Sequence, residues 1–340
     1  MKKSIALLIA LIMVFALATS AIAYADDDPL AGLDPIEIVF ATPNADANIE
    51  SEYAQKWIAA VEEASGGKIT FDYTNSGALG SYDELLQGTI NGIYDMTITE
   101  PSYIATYVPE SAVLSLPMLF SSYAEADWVF DGDVGAWYND LCKAAGMEIL
   151  NYYYCGFRYI ISEKEITSLA DIDGIIIRSP NIQTYLDTLG MLGFKCETMA
   201  FSEAYTAMET GVIEAVECPL QNLYTNGYYN LCPYLLGSRH LLSANCIVAN
   251  EAFWQSLPEE YIEILTGALV ENTAEERGEC DAREQQFLKD FAEKGTNFNE
   301  FDAESQTKIV EMFSEYWTKA VEPLGEGALA QLDAIIAHKA

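Results

Sequence analysis

The sequence predicts an α/β protein of two domains. Three observations carry this: segments of period two alternate with segments of helical period, the alternation occurs in two separate blocks, and the chain exceeds what one hydrophobic core supports. Of 340 residues about 25 read as a leader, leaving about 315 against ~100–200 residues per domain. Hydrophobic residues make up 51% of the chain, enough for sizeable cores, and no low-complexity stretch follows Pro29.

The leader comes first. Lys2 and Lys3 precede an apolar run over 5–18 that gives way to small residues, the pattern of a secretory signal peptide. Ala21 and Ala23, or Ala23 and Ala25, fit the cleavage pocket, so 1–25 is expected to be removed by cleavage after Ala23 or Ala25. The run is shorter than the ~20 residues a bilayer requires, and charges interrupt every later apolar stretch. No cysteine adjoins the cleavage site to accept a lipid, so a soluble, untethered periplasmic protein is expected.

The first block opens with the alternating Ile36-Glu37-Ile38-Val39-Phe40-Ala41, a strand ending in a loop at Pro43. Tyr53, Trp57, Ile58 and Val61 fall at helical spacing, and Gly66-Gly67 stops that helix before a strand over 68–73. A helix over 81–90 with Leu85 and Leu86 inward and a strand over 94–99 complete the block. In the second, a strand over 148–153 runs on into 156–161, and Ile175-Ile176-Ile177-Arg178-Ser179-Pro180 is a buried strand ending at an arginine. A helix over 185–192, a short strand over 194–198, a helix over 202–210 capped by Gly211 and a strand over 212–217 follow. The segments 258–294, 303–322 and 329–337 are helical in composition.

Charge and cysteine usage narrow the function classes. Fifty-two acidic residues against 17 basic give a net charge of −35, which excludes nucleic acid as a partner. Such a balance reads as a solvated, mutually repulsive surface. Because salt screens exposed charges beyond about 8 Å, a local arginine cluster can still bind an anion. Seven cysteines cannot all pair within one chain, and contexts such as Ala244-Asn245-Cys246-Ile247-Val248 suit small buried hydrophobes.

Signatures of catalysis are sparse. The chain has no Gly-x-Ser-x-Gly, no phosphate-cradling glycine loop, no His-Glu-x-x-His and two histidines, His240 and His338. No enzyme activity and no cofactor is expected. Asn44-Ala45-Asp46-Ala47-Asn48 has the look of a calcium loop, but Ile49 stands where the sharp turn needs glycine, so no metal is expected either. With so few basic residues, Arg158 just after a strand and Arg178 at the end of Ile175-Ile176-Ile177 stand out in apolar surroundings. Each would be costly without a partner. One reading is a buried ion pair with a carboxylate of the chain; the other is a bidentate pair with a ligand carboxylate.

The order Gly156-x-Arg158, Leu169-Ala170-Asp171-Ile172-Asp173-Gly174-x-x-x-Arg178, Met199-Ala200-Phe201-Ser202-Glu203-Ala204-Tyr205 and Gly211-Val212-Ile213-Glu214 resembles the solute-binding proteins of tripartite ATP-independent periplasmic (TRAP) transporters, dicarboxylate type. Gly92-x-x-Asp95-Met96, Leu114-Ser115-Leu116-Pro117-Met118-Leu119-Phe120, Glu217-x-Pro219-Leu220, His240 and Asn250-x-x-Phe253-Trp254-x-x-Leu257-Pro258 extend the resemblance over nearly the whole mature chain. It implies a two-domain, periplasmic-binding-protein-like (Venus flytrap) fold with a hinge and a ligand cleft between the domains. Domain I is expected over 31–155 and about 244–283, domain II over 156–243 and about 284–337. The resemblance also implies roles: Arg178 pairs with the carboxylate of a small organic acid, Arg158 assists, and Phe201 packs near the ligand. Asn44 and Glu100 fall where the cleft is lined. Where many members carry Glu-Asn-Pro, this chain has Glu217-Cys218-Pro219, so Cys218 replaces an amide that would both donate and accept. Tyr152, Tyr153, Tyr154, Tyr224, Tyr228 and Tyr229 are expected mainly in core or hinge packing, some near the cleft. The implied partners are the acid and the small and large membrane subunits. A sensory receptor of the same fold, or an exported enzyme using a Glu or Tyr, are the rival readings.

Overall fold

The computed structural model describes residues 29–339; the leader lies outside them. Ten strands form the core: β1 (Ile36–Ala41), β2 (Ile69–Thr74), β3 (Met96–Thr99), β4 (Met147–Ser162), β5 (Ile176–Ser179), β6 (Lys195–Thr198), β7 (Ala215–Pro219), β8 (Tyr234–Leu236), β9 (Leu242–Asn250) and β10 (Asn297–Asn299). They run in the order β2-β1-β3-β9-β4-β7-β5-β6, with β8 against β4 and β10 against β8. The first block supplies parallel β1, β2 and β3, with Ile36 opposite Ile69 and Phe40 opposite Met96. The second supplies β5 parallel to both β6 and β7.

The position in the sheet explains each strand's pattern. In the edge strand β2 only Ile69 is buried, whereas β3 is buried at all four residues and β9 at all but its first, as strands covered on both faces must be. That is why the sequence leaves β9 unassigned: a fully buried strand shows no alternation, and Ser243, Asn245 and Asn250 interrupt its apolar run. The segment 100–147, also unassigned, holds the helices Tyr123–Phe130 and Asp133–Ala144. In the second, Val134, Tyr138 and Cys142 are buried at a spacing of four. Elsewhere the expected elements lie within a few residues of the observed ones, except that the strand expected over 212–217 begins only at Ala215, after a tight turn at Gly211.

One strand joins the two sheets and so positions the site. β4 pairs antiparallel with β9 as far as Phe157, and from Arg158 it pairs with β7, Arg158 lying opposite Pro219. The change follows shortly after a register shift between Tyr154 and Gly156. Gly156 has φ +105°, a conformation that favours glycine, and a Cβ there would sit a tight 3.3 Å from the Glu284 carboxylate. The helix Glu259–Glu293 backs this crossing. Its first half holds the helix Ile49–Ala64, where the Trp57 indole donates to the Leu265 carbonyl at 3.0 Å and Asn272 to the Tyr53 carbonyl at 3.0 Å. Its last turns pack Phe287 and Phe291 on Tyr224, and Phe291 on Tyr229.

Candidate functional site

β7 lies between the two strands that carry the arginines. Arg158 of β4 faces Pro219 on one side, and Arg178 of β5 faces Val216 on the other. Both side chains are buried, 5% exposed each. Their partners differ.

Arg158 is engaged by the protein on all its nitrogens. Its Nε and Nη2 donate to the two carboxylate oxygens of Glu217, at 2.5 and 2.8 Å, a forked pair. Nη2 also reaches the Glu217 carbonyl at 3.3 Å and the Cys218 sulfur at 3.7 Å, and Nη1 donates to Ser243 Oγ at 2.7 Å. The Tyr185 ring lies 4.9 Å below the guanidinium. Glu217 is fully buried, and burial alone would raise its carboxyl; the Arg158 charge and the His240 hydrogen bond, 3.2 Å from Nε2, hold it at about 2. His240 Nδ1 is in turn 2.8 Å from Ser238 Oγ.

Arg178 makes two bonds, both to one acceptor: its Nε and Nη2 donate to the Met199 carbonyl at 3.0 and 2.9 Å. Among the described residues no carboxylate lies within 4.0 Å of it, and its Nη1 has no partner. The guanidinium stands over the ring of Phe201, 5.5 Å from the centroid, and Phe201 in turn packs on Tyr228 at 6.0 Å. Met199 and Phe201 bracket the turn into the helix Phe201–Glu209, so this turn supplies both the carbonyl that orients Arg178 and the ring that supports it.

The other expected residues fall around these two. Glu100 caps β3, 9% exposed, with Oε1 3.8 Å from Arg158 Nη1 and Oε2 accepting from Ser102 Oγ at 3.2 Å and Tyr185 OH at 2.8 Å. Cys218 touches Arg158; burial pushes its thiol up to about 12, with Arg158 opposing, so it is a neutral, weakly polar neighbour. Asn44 makes no direct bond to either arginine. Its Oδ1 accepts from Tyr82 OH and its Nδ2 is buried without a partner. Tyr82 stacks on Tyr103 at 4.9 Å. Burial, then Glu100, push the Tyr103 hydroxyl upward, while Arg178 and Arg158 act the other way, so this ring lies in the field of the whole cluster. A cleft of about 510 Å³ opens beside Tyr103, lined by Asp83, Glu84, Ser102, Asn181 and Gln183 among others.

Sequence reasoning missed Tyr82, Tyr103 and Tyr185. The tyrosines it weighed lie mostly in packing: Tyr152, Tyr153 and Tyr154 are core, Tyr224 and Tyr229 pack on Phe291, and Tyr228 alone meets a site residue, Phe201. The available signal was position, since Tyr103 follows β3 and Tyr185 follows β5 within six residues, where strand ends gather ligand groups.

Comparison with known proteins assigns the chain's family and fold. The family model described as bacterial extracellular solute-binding protein, family 7, matches residues 40–323. A solute-binding protein of Roseobacter denitrificans is 28% identical over 248 residues, 69% of this chain and 76% of that one. The C4-dicarboxylate-binding periplasmic protein of Rhodobacter capsulatus is 24% identical over 307 residues, 90% of this chain and 92% of that one. Among solved structures, the sugar acid binding protein of Advenella mimigardefordensis, in complex with galactonate, superposes with a TM-score of 0.82 at 29% identity, covering 89% of this chain and 99% of that one. A TRAP periplasmic solute-binding protein of Ochrobactrum anthropi gives 0.82 at 26%, covering 90% and 96%.

Proposed function

Because the chain belongs to bacterial extracellular solute-binding protein family 7, we propose that it captures a small organic acid outside the cytoplasmic membrane by pairing the acid's carboxylate with Arg178. The observation that carries this is the contrast in commitment: Arg178 is as buried as Arg158, yet among the described residues no carboxylate neutralises it. A desolvated guanidinium in that state gains most from an incoming carboxylate, and its unused Nη1 with the second Nη2 hydrogen offers the forked geometry such a group takes. Phe201 below and Met199 behind hold the plane of the fork. Arg158, Glu100 and Cys218 line the adjoining wall, and Asn44 reaches it through Tyr82 and Tyr103.

In this reading the two lobes are 31–155 with about 244–283 and 156–243 with about 284–337, and β4 is the hinge strand between them. Glu100 from one lobe reaches Arg158 and Tyr185 of the other, so the lobes close across the acid. Delivery goes to the small and large membrane subunits of a TRAP transporter, and the leader over 1–25 directs export to the periplasm. Among the described residues no helix is long and apolar enough to cross a membrane.

A thermal-shift screen of the mature protein against mono- and dicarboxylates, keto acids, sugar acids and aromatic acids tests this, with Arg178→Ala in parallel. A ligand that binds the folded state raises Tm. The expected outcome is one acid class that stabilises the wild type, with binding weakened by about 3–5 kcal/mol in Arg178→Ala. Equal stabilisation of both proteins would refute the carboxylate pairing.

A further inference from the structure

The charges gathered around the cleft narrow the acid, if Arg178 is its anchor as proposed above. Arg158 and Arg178 bring two positive charges. Glu217 neutralises Arg158 through a forked pair, and Glu100 stands 3.8 Å from the same guanidinium while bonded to Ser102 and Tyr185. The protein thus brings two carboxylates to two arginines before any ligand arrives, and one guanidinium, that of Arg178, is left for an acid. The cleft beside Tyr103 repeats the pattern: it is lined by Asp83 and Glu84, with no lysine or arginine in its lining. A second carboxylate on the ligand would find no cation of its own and would be driven toward Glu100, a like-charge contact in a desolvated site.

The remaining wall suits hydroxyl groups. Glu100 is an acceptor that a ligand hydroxyl can meet, Asn44 Nδ2 is a buried donor without a partner, and the Thr99 hydroxyl beside Glu100 is buried and unpaired as well. The stacked Tyr82 and Tyr103 offer a flat ring face with a polar edge to a chain of carbons bearing hydroxyls. We propose that the site selects a monocarboxylate bearing hydroxyl groups over any dicarboxylate, and that Glu100, by excluding a second anion and accepting from a ligand hydroxyl, sets this preference.

The test uses two acids that differ at one carbon. Galactonate has one carboxylate and a terminal hydroxymethyl group; galactarate has the same chain with that terminus oxidised to a second carboxylate. Calorimetric titration of the mature wild-type chain should show galactonate bound and galactarate about 100-fold weaker, the size of a like-charge clash in a closed site. Glu100→Gln removes the charge but keeps the shape, and should shrink that ratio to within about tenfold, chiefly by improving galactarate. Galactarate or succinate bound by the wild type as tightly as galactonate overturns the proposal, and so does a ratio unchanged by Glu100→Gln in a protein with the wild-type melting temperature. If Glu100→Gln fails to fold, the wild-type ratio decides alone. Arg178→Ala separates the two levels of the reading: binding of either acid undiminished in that variant removes the carboxylate anchor itself, whereas binding lost there with no galactonate preference in the wild type removes only the selection by Glu100.

Discussion

Arg158 and Arg178 make a controlled comparison within one molecule. Both sit on strands flanking β7, both are 5% exposed, and both lie against aromatic rings. Arg158 is clasped by Glu217, Ser243 and the edge of Cys218; Arg178 leans on a single carbonyl. Burial therefore does not distinguish the two; what does is how many of each guanidinium's donors the protein has already used. The first holds the junction of the two sheets together, and the second keeps its charge available.

The largest effect expected from that contrast is on stability. Arg158→Met strips the compensating charge from Glu217, which is fully buried, and should destabilise the fold by about 3–5 kcal/mol in urea unfolding. The double variant Arg158→Met/Glu217→Leu, which removes both charges, should recover much of that loss. A single variant within about 1 kcal/mol of wild type would mean that Arg158 is not the partner that makes Glu217 tolerable.

A smaller effect, on binding, sharpens the other side. Arg178→Lys keeps the charge but loses the planar fork and one of the two bonds to Met199. It should weaken acid binding by about 1–2 kcal/mol in calorimetry while leaving unfolding within about 0.5 kcal/mol of wild type. Full affinity with lysine would show that a point charge suffices and that the fork has no part in recognition.

How much of this was readable beforehand follows the same division. The strand and helix alternation of both blocks was legible because half-covered strands alternate and amphipathic helices repeat near every fourth residue, as Tyr53, Trp57 and Val61 do. The arginines were legible because the chain has so few basic residues and these two end or follow apolar runs. That Arg158 and not Arg178 carries the ion pair was not legible, because it depends on the antiparallel register that sets Ile160 opposite Glu217 and Arg158 opposite Pro219. Nothing in the local sequence of β4 or β7 encodes that pairing. Tyr185 and Tyr103 were hidden for a related reason: only closure of one sheet on the other brings Tyr185 OH to Glu100.

The smallest expected effect extends the comparison to an acid. Glu50, on the helix Ile49–Ala64, is 1% exposed, and its neighbours are the amides of Asn48, Gln221 and Asn245, at 3.3, 2.9 and 3.5 Å, with no guanidinium among its bonds. Burial raises its carboxyl above the ordinary range, the reverse of Glu217, where Arg158 overturns the same burial. A raised folded-state value means the folded protein holds that proton more tightly than the unfolded chain. The stabilisation is then full below the unfolded value of about 4.3 and is lost as pH rises through the folded value. Glu50→Gln removes the charge and gives up one acceptor, because Asn48, Gln221 and Asn245 all donate to the carboxylate oxygens; relief of the buried charge outweighs that one hydrogen bond. The variant should therefore melt about 2–4 °C above wild type at pH 7.5, the size of about 1 kcal/mol in a domain of this kind, and the gap should close at pH 4. A gap that instead widens on acidification would place the charged form among the stabilising ones. Glu50 would then resemble Glu217 rather than Arg178.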